Sequence, residues 1–119
     1  HNIIALTFKT HIMKDKEGQL PLSEAKRLSL LKWNANVEAG GDANIPDECI
    51  NLVGFCGFCE RHKNNMFEQD CSKCELLVNG HSCTHSDHPF SKWCESRSGS
   101  PEELQYAIEV RDLILAVPE

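Results

Sequence analysis

Apolar and polar residues alternate near the start of the chain. Ile4, Leu6, Phe8 and Ile12 fall on one parity, with Thr7, Lys9 and His11 on the other. A period of two is the pattern of a strand with one buried face, and Thr10 is the exception on the apolar side. Residues 1–20 are therefore expected to form a strand or an arm, and a lone strand needs something to pair with. Lys14-Asp15-Lys16-Glu17-Gly18 reads as a charged turn. The period then changes. Leu28, Leu31 and Ala35 recur at helical spacing, and Leu30, Trp33 and Val37 widen the stripe. This spacing predicts a helix over 22–41, capped by Ser23 and stopped at Gly40-Gly41, because glycine enters the left-handed conformation at little cost.

Residues 42–51, with Pro46 and several polar side chains, read as a linker. Residues 52–97 hold most of the cysteines and histidines and show little periodicity. Asn79-Gly80 predicts a turn there, and His88-Pro89 the opening of another extended stretch. Ser100-Pro101-Glu102-Glu103 is a well-specified helix start: serine caps, proline takes the first helical position, and Glu103 closes a capping box. That helix is expected over 100–117, ending at Pro118. Tyr106, Val110, Leu113 and Val117 form its stripe, flanked by Leu104, Ala107 and Ile108. Its expected role is core packing against the first helix. The fold class is thus mainly helical, with two helices flanking a metal-stapled loop segment and a minor strand component.

A chain of 119 residues is expected to be one domain. Its aromatic residues are few: five phenylalanines, two tryptophans and one tyrosine. Phe55, Phe58, Phe67, Phe90 and Trp93 stand beside the cysteines, which predicts a small satellite core around an ion. The formal net charge is -6. Non-specific nucleic-acid binding needs lysine and arginine to displace counterions, so this balance disfavours it. The basic clusters Lys26-Arg27 and Arg61-His62-Lys63 are short and read as solvated faces. No apolar run approaches a membrane span, and the opening His1-Asn2-Ile3-Ile4 has no basic region followed by a sustained apolar one. Seven cysteines, an odd number, with no visible secretory signal, point to a reducing compartment and to metal rather than disulfide chemistry.

The chemistry concentrates in two pairs, Cys56-Gly57-Phe58-Cys59 and Cys71-Ser72-Lys73-Cys74. Two intervening residues let both thiolates of a pair face one ion, and two pairs complete the tetrahedral shell that zinc favours. Cys83 follows closely and can replace a member, so four of Cys56, Cys59, Cys71, Cys74 and Cys83 are expected on one zinc. A second site from Cys83, His85, His88 and Cys94 is chemically available. Histidines on a polar surface loop are the preferred alternative to it. An iron–sulfur cluster could also use four cysteines, though the two-pair spacing suits it less. A redox-active Cys56/Cys59 pair would need an electropositive helix start, and Glu60 follows at once. A metallonuclease would draw on His62-Lys63-Asn64-Asn65 or on His81, His85 and His88. A zinc hydrolase would need an open coordination position and a general base, and no His-Glu-x-x-His motif is present.

Leu28-Ser29-Leu30-Leu31-Lys32-Trp33, Glu38-Ala39-Gly40-Gly41, the two cysteine pairs, Gly80-x-x-Cys83 and Trp93 follow one another in an order that resembles a group of small bacteriophage proteins. The resemblance covers residues 22 to 117. It departs at Glu75, where the group has proline, in a longer loop between the pairs, and at residues 1–20, which have no counterpart. It implies the same five-cysteine metal set and a protein made in the cytosol of a host bacterium. The expected function is non-catalytic: a zinc-stabilised domain that binds and inhibits or redirects a host or phage protein. Phe90, Trp93 and the loop from His81 to His88 are the candidate contacts, with packing beneath the loop as the preferred fate of Trp93. A nucleic-acid-binding zinc module is the alternative, using Arg61, Lys63, Lys73 and Lys92 beside Phe58, Phe67 and Trp93.

Overall fold

Four helices carry most of the regular structure in the computed structural model, which describes residues 19–52, 56–63 and 71–118. They are α1 (Leu22–Glu38), α2 (Gly57–Arg61), α3 (Pro89–Glu95) and α4 (Pro101–Leu115). Single 3-10 turns lie at Asp47–Cys49 and Cys71–Lys73. Mainly helical is therefore the fold class. The strand expected in the amino-terminal stretch lies outside the described residues, apart from Gln19 and Leu20 at its end.

The two long helices form where the periodicity placed them, and pack on each other. Their buried faces are rotated from the expected stripes. On α1 the buried residues are Ala25, Leu28, Ser29, Trp33 and Asn36, while Leu31 is 38% exposed. Two polar residues belong to that face because each has a backbone partner: the Ser29 hydroxyl accepts from the Gly57 N–H at 3.2 Å, and Asn36 Oδ1 accepts from the Ala43 N–H at 2.9 Å. An apolar stripe cannot register them. On α4 the buried face is Glu103, Ala107, Val110 and Ile114, and Tyr106 stands half-exposed.

Helix ends differ in detail from the expectations. Pro21, not Ser23, occupies the cap position of α1, with no side-chain hydrogen bond. The exit at Gly40 and Gly41 has φ of +88° and +135°, conformations that favour glycine. On α4 the Ser100 hydroxyl accepts from the Glu103 N–H at 3.2 Å as predicted. The reciprocal bond is displaced by one residue, so that Glu103 Oε1 accepts from the Gly99 N–H at 3.1 Å.

Three readings of the middle of the chain are corrected. His88-Pro89 opens helix α3, not an extended stretch: Pro89 takes the first helical position and His88 Nδ1 accepts from the Phe90 N–H at 3.1 Å. Seven helical residues are too few for a periodic signal. The supposed linker contains Cys49, fully buried, whose thiol donates to the Leu28 carbonyl at 3.4 Å. The satellite core is also not separate. Phe58 and Leu76 belong to the same apolar cluster as Leu20, Leu28, Trp33, Val110 and Ile114, with Phe90 and Trp93 packed against it. Trp33 meets Trp93 at 4.9 Å and Phe90 at 6.0 Å, both edge-on, the arrangement aromatic quadrupoles prefer. The Trp93 indole N–H donates to the Gly41 carbonyl at 2.7 Å, tying α3 to the end of α1.

Candidate metal centre

Glycine at the second position of the first cysteine pair brings α2 onto α1. A Cβ on Gly57 would lie 2.8 Å from Ala25 Cα, so only glycine allows this approach. Phe58, fully buried, anchors the turn beneath. Cys56 therefore caps α2 and Cys59 stands within its first turn. The second pair begins in a 3-10 turn, where the Cys74 N–H donates to the Cys71 carbonyl at 3.2 Å. The Leu76 N–H then points at Cys74 Sγ, 3.4 Å away.

Asn79 and Gly80, with φ of +51° and +79°, make the predicted two-residue turn between Val78 and His81. That hairpin delivers Cys83, whose carbonyl accepts from the Ser91 hydroxyl at 2.5 Å and so fixes it to α3. The three segments meet around two voids. The smaller, about 20 Å3, is lined by Cys59, Cys71, Cys74 and Cys83 together with His62. The larger, about 180 Å3, is lined by Cys56, Cys59, Cys74 and Cys83 and by Trp33, Phe90 and Val110. Cys59, Cys74 and Cys83 face both. All five nominated cysteines are thus gathered around one region, as free thiols. In the conformation described, however, no three His, Cys, Asp or Glu side chains stand close enough together to hold an ion, among the described residues.

The thiols influence one another strongly. The hydrogen bond from the Cys59 thiol holds Cys56 down at a pKa of about 6, against the opposing effect of burial and with help from the Ser29 hydroxyl. The same bond pushes Cys59 well above the ordinary thiol range, assisted by burial and by the negative charge of Cys56, Cys83 and Cys74. Burial, chiefly, lifts Cys74 to about 12 and Cys83 to about 11. The arrangement sustains one thiolate and resists a second. A divalent cation opposes both causes of that resistance, since it deprotonates the thiols it binds. A void of this smaller size has room for about one water-sized occupant. The donors present, soft thiols with an imidazole beside them, suit zinc.

The residues of the possible second site play other parts. His88 is 1% exposed and both its ring nitrogens are engaged: Nδ1 accepts from the Phe90 N–H, and Nε2 donates to the Leu76 carbonyl at 2.7 Å. In that tautomer it has no lone pair for a metal. His85 stacks on His81 with ring centres 3.7 Å apart, and its Nδ1 accepts from the Asp87 N–H at 3.1 Å. Cys94 lies exposed on α3. Phe90 and Trp93, the candidate partner contacts, are half-buried in the aromatic cluster with Trp33. Packing is the role the structure gives them.

His62, which the sequence offered only to a metallonuclease, was left out of the zinc set. Its ring Nε2 lies 2.7 Å from Glu75 Oε1, and Glu75 Oε2 accepts from Arg61 Nε at 3.0 Å. Burial alone would raise the Glu75 carboxyl, but the hydrogen bonds from His62 and Arg61 outweigh it and leave the pKa below the usual value. The signal was present in Cys56-x-x-Cys59-x-x-His62, one helical turn beyond the second thiol. No protein family, curated protein or solved structure matches the chain, so the chemistry of the site rests on its own residues.

Proposed function

We propose that this chain is a zinc-stabilised, non-catalytic binding module. Its cysteine-rich side is a loop region stapled by one ion, and it acts by docking on another protein. The observation that carries the reading is the convergence of five free thiols, from three separate segments, on adjoining voids. Cys59, Cys74 and Cys83 are the constant members of the shell, and the fourth ligand comes from the groups beside them. Cys56 and Cys71 are the ones nominated by the sequence. Zinc bound there would supply a closed, charge-neutralising cross-link between α2, the Cys71 turn and the hairpin. The chain's own residues do the rest. Gly57 and Phe58 seat α2 on α1, and Ser91 holds the Cys83 backbone.

The partner would meet the exposed turn from Asn79 to Asp87, which such an ion would hold rigid between Cys74 and α3. An acidic net charge suits a basic partner surface. The resemblance to bacteriophage proteins makes that partner a host or phage protein and the setting a bacterial cytosol. Nucleic acid is the poorer fit. Phe58 is fully buried and cannot stack on a base, Arg61 is committed to Glu75, and Lys63 to Glu60. Elemental analysis of the purified chain tests the first half of the proposal: about one equivalent of zinc is expected, whereas a metal-free or iron-bearing protein counts against it. Capture from bacterial lysate tests the second, with a stoichiometric protein partner expected and nucleic acid alone as the contrary result.

A further inference from the structure

We propose that His62 is the fourth ligand of the ion, so that the shell is three thiolates, from Cys59, Cys74 and Cys83, and one imidazole. This rests on the metal-binding reading above and changes its membership. His62 lines the smaller void together with those three cysteines. It follows Cys59 by one helical turn, and its N–H donates to the Phe58 carbonyl at 3.2 Å, which keeps it in register with α2. Its side chain is only 10% exposed.

The decisive feature is the bond made by one ring nitrogen. A carboxylate oxygen can only accept, so the 2.7 Å contact with Glu75 places the proton on Nε2 and leaves the lone pair on Nδ1. A metal-ligating histidine has this arrangement: the second nitrogen donates to a carboxylate, which sets the tautomer and raises the basicity of the first. The buttress is itself supported. Arg61 Nε donates to Glu75, and the other arm of its guanidinium donates to the Leu20 carbonyl at 2.7 Å. The carboxylate is thus held between two donors, and Arg61 links it to the backbone just before the first helix.

Neither of the other described histidines with a hydrogen-bonded ring shares this arrangement. His88 has both nitrogens engaged, and His85 spends Nδ1 on the Asp87 N–H. The rival thiols are placed differently too. Cys56 faces the larger void and is hydrogen-bonded with Cys59 and with the Ser29 hydroxyl at 3.7 Å. Cys71 lines the smaller void and is the true competitor for the fourth position.

X-ray absorption at the zinc edge of the zinc-loaded 119-residue chain separates the two. Three sulfurs and one nitrogen are expected, and the cobalt-substituted protein should show the weaker thiolate charge-transfer band of such a shell. His62→Cys should keep the metal and add a fourth sulfur. Glu75→Gln should weaken zinc affinity by about tenfold without changing stoichiometry. Cys71→Ser should leave the absorption spectrum as it was. A wild-type shell of four sulfurs, lost on Cys71→Ser, would overturn the assignment of His62 and spare the metal reading. A chain that takes up neither zinc nor cobalt would overturn both.

Discussion

The helical side of this molecule and its cysteine-rich side are held together by different means. Between α1, α3 and α4, order comes from burial: Leu28, Ala107 and Ile114 are fully buried and Trp33 and Val110 are 2% exposed. Each large apolar side chain withdrawn from water contributes roughly 1.5–3 kcal/mol, without requiring a particular partner atom. The cysteine side has a five-residue helix, one 3-10 turn and a two-residue hairpin. Phe58 and Leu76 tie it into the common core, and the rest of its segments are fixed by single hydrogen bonds to backbone carbonyls: Arg61 to Leu20, His88 to Leu76, Ser91 to Cys83. Between them lie voids lined by thiols. A region tethered atom by atom around a gap depends on what fills the gap, whereas a region packed by area does not.

Removing the proposed zinc is the strongest way to break this comparison. A chelator should abolish amide protection over 56–62 and 74–85 while far-UV circular dichroism retains the signal of α1 and α4. Structural zinc is worth on the order of 10 kcal/mol to small sites, so the loss should be complete rather than graded. Concerted melting of both sides would show that they are one unit. Trp33→Ala attacks the helical side, and a cost of about 3–5 kcal/mol is expected from the urea midpoint, because the buried side chain joins α1 to both aromatic residues of α3. Gly57→Ala acts at the seam. The added methyl meets the Ala25 backbone, so about 1–3 kcal/mol should be lost, with metal uptake impaired in the same variant. Ser100→Ala removes one cap far from the thiols and should cost about 1 kcal/mol with zinc stoichiometry unchanged.

The same division decides what could be read from the residues alone. Both long helices were legible, because repeated apolar positions and the Ser100-Pro101 start are local signals. Their rotation was not, since Ser29 and Asn36 are buried with bonds to Gly57 and Ala43, residues outside the helix. The five cysteines were legible as a set from spacing, and three segments do bring them to one region. The proposed imidazole ligand, His62, was harder to see: nothing in Arg61-His62-Lys63 announces that Glu75 will fold back onto the ring. Phe90 and Trp93 could not be placed from the residues alone for a related reason. An aromatic pair in a loop-like stretch has no sequence mark that distinguishes exposure from docking onto Trp33. His88 was offered as a possible second-site ligand, with a surface loop histidine preferred, and neither reading reached its task of capping α3 and holding Leu76, which needs three-dimensional context.

The chain has two tryptophans, and the fold puts them against each other. Every photon of indole emission therefore originates at the junction of α1 and α3, a short step from the thiols that share the larger void with Trp33. Perpendicular rings this close couple their electronic transitions, which should give the native protein a strong near-ultraviolet dichroic signature that vanishes when the junction opens. The molecule thus carries its own optical gauge, and a titration followed at 295 nm excitation would report the state of the cysteine side without any label.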